Sequence, residues 1–202
     1  SSNGYQILRS IAVISELTQN PLFIIGSPRS GTSLLRLIIN AHSDVLVPPE
    51  CGFTIWLHPK YSDWTVENSN DPTKLAAFVD DLLDCRKMDT WQLDRTDVEK
   101  HIQSLQPENY ADLCSTVYLA YAKRMGRKIH GWGDKNNFHI HHLDELRSIH
   151  EDARFLHIVR DGRDVACSYR EVMSSNSDSP YAPVLETDID GIAAEWSRNV
   201  MK

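Results

Sequence analysis

The sequence predicts an α/β fold of three layers, with helices on both sides of a mostly parallel central sheet. A short apolar segment at residues 22–25 leads through a turn into a helical pattern, and the same order returns at residues 155–173. Strands that alternate with helices are typical of parallel sheets, because each helix carries the chain back to the same edge. Residues 53–128 show helical patterns and no strong strand, so we expect a helical insertion there.

The composition is that of a globular protein without a general surface for polyanions. The 202 residues suit a single domain, residues 1–202, and the formal net charge of -7 argues against nucleic acid as a partner. No apolar stretch approaches the roughly 18 residues that a membrane span needs. The four cysteines form no C-x-x-C pair, which favours free thiols in a reducing, cytoplasmic compartment. Because the chain begins at Ser1, a removed leader or anchor stays an open alternative.

Hydrophobic periodicity predicts the elements on both sides of the insertion. Residues 3–17 have the spacing of an amphipathic helix, residues 22–25 that of a buried strand, and the apolar residues in 31–41 predict a largely buried helix. After the insertion we expect strands at residues 129–132 and 155–159, helices at 141–150, 164–173 and 188–201, and a polar loop at 174–183.

Three helical patterns fill the insertion, at residues 73–86, 94–105 and 110–125. Asp94, which is followed by Asp97, marks a helix start, and Gly126 marks a helix stop. Such a set of helices between two strands would cover a cleft at one edge of the sheet.

The segment GSPRSGTS, residues 26–33, has the spacing of a phosphate-binding loop. A turn from a buried strand into a helix aims backbone N–H groups and the positive end of the helix dipole at one point, and Arg29 adds a full charge. Loops for nucleoside triphosphates carry a lysine where this chain has Thr32. The segment therefore predicts an anion held without a metal ion, by arginine, hydroxyls and backbone.

A second anion site is predicted in the segment HIVRDGRDVACS. It places Arg160 at the end of a strand and Ser168 about one turn into the next helix. Together the two segments indicate a ligand with phosphate at two separated points, lying across the carboxyl ends of the strands.

Three segments resemble the sulfotransferases that use 3′-phosphoadenosine 5′-phosphosulfate (PAPS). GSPRSGTSLLRLI is similar to their 5′-phosphosulfate loop, FLHIVRDGRDVACSYREV to their 3′-phosphate segment, and GDKNNFHIHHLDEL to the lysine-containing stretch before it. The resemblance implies a P-loop sulfotransferase fold and sulfuryl transfer from PAPS to an acceptor hydroxyl or amine, with release of 3′-phosphoadenosine 5′-phosphate (PAP). It implies that the donor is bound by Ser27, Pro28, Arg29, Ser30, Gly31, Thr32, Ser33, Arg160 and Ser168.

The resemblance also implies the catalytic residues. The cytosolic branch has a histidine base where this chain has Asn137, whereas the tyrosylprotein branch, which resembles this chain more closely, has a glutamate that aligns with Glu50. After Pro48-Pro49, partial burial would raise the pKa of Glu50 towards useful basicity. Lys135 and Arg29 would stabilise charge on the leaving group and on the sulfuryl oxygens.

Several points stay open at this stage. The acceptor is a small molecule or a peptide, Trp132 is a candidate wall of its cleft, and the number of subunits is undetermined. A small-molecule kinase with an atypical loop and a non-catalytic module for PAP or coenzyme A are the alternatives. His139, His141 and His142 share no face of a helix or strand, so no metal site is expected. The family's later loop over the adenine is not visible, so either a C-terminal part is missing or the cofactor lid is built differently.

Overall fold

The structure is a computed structural model that describes residues 21–174, 181 and 185–202. The helix expected at residues 3–17 and most of the loop expected at 174–183 lie outside the described residues.

Four parallel strands form the central sheet. They are β1 (Leu22–Ile25), β2 (Val45–Leu46), β3 (Gly131–Lys135) and β4 (Arg154–His157), in the spatial order β2-β3-β1-β4. Leu22 of β1 pairs with Gly133 on one side and with Arg154 on the other. The mostly parallel α/β fold is confirmed, and β1 is flanked by a strand on each side, as its wholly apolar sequence predicts.

Three strands differ from the sequence prediction, and one of them is β4, which was expected at residues 155–159 and ends at His157. β2 was not predicted, because a pair of residues is too short to show periodicity. β3 begins two residues later than expected and extends through Asp134 and Lys135. Its sequence GWGDK has two glycines and two charges and resembles a loop, yet all but Gly131 are buried. The pairing with β1 and β2 overrides the low strand propensity of these residues.

The helices that were predicted within the described residues lie close to their expected positions. The bounds of the helices are α1 (Thr32–Asn40), α2 (Phe53–Trp56), α3 (His58–Tyr61), α4 (Val66–Asn70), α5 (Pro72–Asp84), α6 (Arg95–Leu105), α7 (Tyr110–Arg124), α8 (Leu143–Ile149), α9 (Gly162–Ser174) and α10 (Ile189–Val200). Three short helices, α2 to α4, were not predicted. Asp94 caps α6 by accepting a hydrogen bond from the Asp97 N–H, as predicted. None of the described helices combines the length and the hydrophobicity needed to cross a bilayer.

The main core joins the helices α2 to α7 to the sheet. The rings of Tyr118 in α7 and Trp132 in β3 are stacked, with centroids 3.8 Å apart, and Phe23 of β1 meets Trp132 edge to face. Aromatic residues contribute large buried areas, so these contacts hold the helical region firmly against β1 and β3. Trp132 is therefore a core residue, and the expectation that it lines the acceptor cleft was wrong.

The expected burial of α1 was also wrong. Leu34, Leu37 and Ile38 are exposed, and Thr32 is the buried residue of this helix. The apolar composition suggested burial on all sides, but only one side of α1 meets the sheet within the described residues.

Candidate active site

The turn after β1 is shaped to cradle an anion. Arg29 and Gly31 both have positive φ angles, 65° and 97°, and Gly31 is the N-cap of α1. A non-glycine residue in the left-handed region is uncommon and is frequent at binding sites. The hydroxyls of Ser27 and Ser30 are buried and have no hydrogen-bond partner among the described residues. Buried polar atoms are normally paired, so these hydroxyls and the α1 N-terminus fit an anionic ligand.

The turn between β4 and α9 lies directly against this first turn. Arg160 Nη1 donates a hydrogen bond to the Arg29 carbonyl oxygen at 3.2 Å, and Arg29 Nε donates to Ser168 Oγ at 3.1 Å. At Gly26 a Cβ atom would lie 2.7 Å from the Ile158 carbonyl oxygen, so only glycine allows this approach. The two strand ends therefore meet, as the sequence predicted.

One cavity of about 650 Å³ opens where the two turns meet. The residues from the sequence prediction that line it are Pro28, Arg29, Gly31, Thr32, Ser33, Glu50, Lys135 and Arg160. Ser27 and Ser30 are buried within the turn, and Ser168 contacts the cavity wall through Arg29. The structure thus brings all the predicted site residues together, while their roles in binding and catalysis stay predictions.

Glu50 is held between two lysines at the floor of this cavity. The segment before it is fixed by Arg36 Nη1 and Trp91 Nε1, which donate to the carbonyl oxygens of Val47 and Pro49 at 3.0 and 2.9 Å. Lys135 Nζ forms an ion pair with Glu50 Oε1, and Lys87 Nζ with Oε2.

The pKa of Glu50 lies below its ordinary value, contrary to the expectation from the sequence. Burial raises this pKa, but the charges and hydrogen bonds of Lys135 and Lys87 together outweigh the effect of burial. The expectation considered burial alone, because nothing in the sequence indicated that two lysines would converge on this carboxylate.

Lys135 itself is delivered by the end of β3 and is only 2% exposed. Its neighbour Asp134 points into the core, where Tyr118 Oη donates to Asp134 Oδ2 at 2.8 Å. Burial raises the pKa of Asp134 to about 7, and burial lowers the pKa of the adjacent His139 to about 3. Because strand residues alternate, the buried Asp134 fixes Lys135 towards the cavity.

Sequence reasoning missed four residues of the cavity wall: Arg86, Lys87, Asn137 and Tyr181. Lys87 has a positive φ of 72° and precedes the short 3₁₀ helix Met88–Trp91, which turns the chain back to the site. Asn137 Oδ1 accepts a hydrogen bond from Thr32 Oγ1 at 3.1 Å and so connects the loop to the segment after β3. No motif marks Arg86 or Lys87, so only the fold could reveal them.

The three histidines after β3 differ in burial. His139 is buried, whereas His141 and His142 lie nearer the surface. Among the described residues, no group of three or more His, Cys, Asp or Glu side chains is placed to hold a metal ion.

The comparison with family models gives one result for this chain. The model described as "Sulfotransferase family" matches residues 21–202, which include the turns after β1 and β4, Glu50 and Lys135. The comparison with curated proteins gives no significant match.

Proposed function

Because the chain belongs to the sulfotransferase family, we propose that it transfers the sulfuryl group of PAPS to an acceptor hydroxyl or amine and releases PAP. Family membership supports sulfuryl transfer in general. The choice of donor is supported by one observation above all, the contact of Arg160 and Ser168 with Arg29 at the mouth of a single cavity. A donor with anionic groups at its 5′ and 3′ positions suits two adjacent anion-binding turns.

The first turn would hold the 5′-phosphosulfate. The unpaired Ser27 and Ser30 hydroxyls, the α1 N-terminus and the Arg29 guanidinium all offer hydrogen bonds to anionic oxygens. The second turn would hold the 3′-phosphate through Arg160 and Ser168. Ser168 Oγ now accepts a hydrogen bond from Arg29, so Arg29 would turn towards the 5′ end when the donor binds.

The donor supplies an activated sulfuryl group whose leaving group is a phosphate. In the proposed step the acceptor oxygen or nitrogen forms the new bond to sulfur, and the bond from sulfur to the 5′-phosphate oxygen breaks. Lys135 and Arg29 would stabilise negative charge on the leaving oxygen and the sulfuryl oxygens, an effect commonly of several kcal/mol in a transition state. Glu50 would accept the proton from the acceptor.

The ion pairs of Glu50 suggest how its basicity is controlled. A carboxylate paired with two ammonium groups is a weak base, because both cations favour its charged form. Donor oxygens near Lys135 would compete with Glu50 for this ammonium group. Loss of that partner would raise the pKa of Glu50 when the donor is present, so that proton abstraction is coupled to donor binding.

The structure offers little support for the two alternative functions. A kinase loop would need the lysine that Thr32 replaces, and Thr32 Oγ1 donates to Asn137. A module that only binds PAP or coenzyme A would have no need for a carboxylate between two lysines beside the anion site.

A thermal-shift comparison of PAP, ATP with Mg²⁺ and coenzyme A tests the proposal. A ligand at about 100 times its Kd stabilises a protein by about 2.7 kcal/mol, which raises the Tm of a chain of this size by about 5–11 °C. We expect PAP to give the largest shift, independently of Mg²⁺. A shift with ATP and Mg²⁺ alone would contradict the proposal, and PAP binding without sulfuryl transfer to any acceptor would support the binding module instead.

A further inference from the structure

A second cavity of about 380 Å³ adjoins the first. Pro28, Arg86, Lys87 and Asn137 line both, so the second cavity opens beside the Glu50 carboxylate. Its volume falls in the range of small-molecule sites. Its other walls come mainly from α2, the segment after β3, and α10, so a molecule bound there would approach Glu50 along these elements, with Pro28 of the first turn at the junction.

An aromatic platform forms one wall of this second cavity. Trp56, at the end of α2, is 42% exposed and stacks on Phe138, with ring centroids 5.6 Å apart and planes inclined by 14°. Both rings rest on Gly52, where a Cβ atom would lie 2.6 Å from Trp56 Cζ2 and 2.7 Å from Phe138 Cε1. The rings therefore have a fixed position, and part of the indole is open to a ligand.

The remaining walls combine the apolar Pro28 and Leu185 with polar side chains, and one of the polar atoms lacks a partner among the described residues. Asn199 in α10 is 1% exposed, and its Oδ1 has no hydrogen-bond partner among the described residues. Asn136 and Asn137 add two more amides, and Glu195 adds a carboxylate that accepts a hydrogen bond from Tyr169 Oη. A buried amide oxygen without a partner indicates that a ligand with hydrogen-bond donors belongs here.

Arg86 adds a positive charge at the junction of the two cavities. Its guanidinium forms no ion pair or hydrogen bond with residues 21–174, 181 or 185–202. Lys87, next to it, is engaged with Glu50. With respect to the part of the chain that the structure describes, Arg86 is thus a cation available to an anionic group on the acceptor.

These observations favour one class of acceptor. A lipid chain would leave the amides unpaired, and a simple phenol would place its one hydroxyl at Glu50 and leave Asn199 and Arg86 without partners. A sugar ring has an apolar face of C–H groups for the indole and a rim of hydroxyls for the amides. We propose, on the premise of the proposed function, that the second cavity binds an acidic saccharide as the sulfuryl acceptor, with its ring on Trp56 and its carboxylate or sulfate at Arg86.

Every bond that forms or breaks in this transfer is accounted for by the donor, the acceptor and Glu50. A sugar hydroxyl at the junction forms the new O–S bond, the bond from sulfur to the 5′-phosphate oxygen breaks, and the hydroxyl proton passes to Glu50. PAP leaves with the electron pair of the broken bond.

Calorimetry on the protein saturated with PAP tests this site. The probe is a tetrasaccharide of alternating glucuronic acid and N-acetylglucosamine, and its matched control is the same tetrasaccharide with the carboxylates reduced to alcohols. We expect Trp56→Ala to weaken binding of the acidic probe by about tenfold or more, and Trp56→Phe to retain most of it. Arg86→Gln should abolish the preference for the acidic probe over the reduced one. Gly52→Ala, which keeps both rings but displaces them, should act like Trp56→Ala.

Two controls separate this inference from the proposed function. Direct titration with PAP should give the same Kd in the wild type and in Trp56→Ala, because Trp56 lies outside the donor cavity. If PAP binds and neither tetrasaccharide does, or if a tyrosine peptide binds in their place, the saccharide site is overturned and the proposed donor stands. If PAP fails to bind, the proposed donor is overturned, and titration of the acidic probe into the protein without PAP still decides whether the saccharide site exists.

Discussion

Arg160 Nη1 donates a hydrogen bond to the backbone carbonyl of Arg29, a residue 131 positions earlier in the chain. This contact joins the turns that follow β1 and β4, two strands that are neighbours in the sheet. Arg29 in turn donates to Ser168. The two turns thus support each other through these contacts.

Arg160→Ala should weaken PAP binding by about 10- to 100-fold, since a hydrogen bond to a charged group contributes about 1.5–3 kcal/mol. Calorimetry measures the change. Arg163→Ala is the matched control, because Arg163 lies three residues later at the start of α9, pairs with Asp161 and does not line the cavity. Equal affinity in the wild type and in Arg160→Ala would remove the main support for the PAPS donor.

Glu50→Gln should preserve PAP binding and reduce turnover by roughly 10²–10⁴-fold, the usual contribution of a general base. The amide oxygen can still accept a hydrogen bond from Lys135, but it cannot take a proton. Turnover is measured as PAP released in the presence of acceptor, with the exposed Glu151→Gln as the control. A fully active Glu50→Gln enzyme would transfer the role of base to another group.

Lys87→Met should move the acidic limb of the pH–rate profile to higher pH. Lys87 lowers the pKa of Glu50, so its removal raises that pKa. A base works only when unprotonated, and therefore kcat/KM should begin to fall at a higher pH than in the wild type. Lys60→Met, which removes an exposed lysine paired with Asp81, is the control and should leave the profile in place. An unchanged limb in Lys87→Met would show that Glu50 does not set it.

His150→Leu should remove part of the acid sensitivity of the fold. Burial lowers the pKa of His150 to about 4, against about 6.5 in an unfolded chain, and its ring packs against Phe23 and Trp132. The unfolded state binds a proton first, so the stability that the neutral ring contributes is present above pH 6.5 and is lost as the pH falls to 4. From urea unfolding, the wild type should lose about 3 kcal/mol more than the variant between these pH values. Parallel losses in both proteins would contradict the prediction.

The parts of the site that depend on local sequence could be predicted. The first segment has an apolar strand, a turn with two glycines and an arginine, and a following helix within about 15 residues, and the second has the same order with one glycine and two arginines in its turn. For this reason the sequence alone predicts Arg29, Thr32 and Arg160 as site residues, and all three line the cavity. Their meeting in one cavity followed from the parallel sheet, since parallel strands present their carboxyl ends at one edge.

The parts that depend on tertiary contact could not be predicted. Lys87 reaches Glu50 only because the chain turns back after α5, and this second cation, together with Lys135, reverses the expected direction of the Glu50 pKa. The predicted burial of Leu34 in α1 was wrong because no described element covers that side of the helix. An apolar pattern shows that one side of a helix can be buried, but it does not show which part of the protein buries it.

The close approach at Gly26 has a consequence for ligand selection. The Ile158 carbonyl lies so near this glycine that the gap between the two turns is set by main chain against main chain. The width of this gap is therefore fixed by the backbone. Substitution of the surrounding side chains would change the affinity for a ligand. The distance between two anionic groups that would fit the two turns would stay constant.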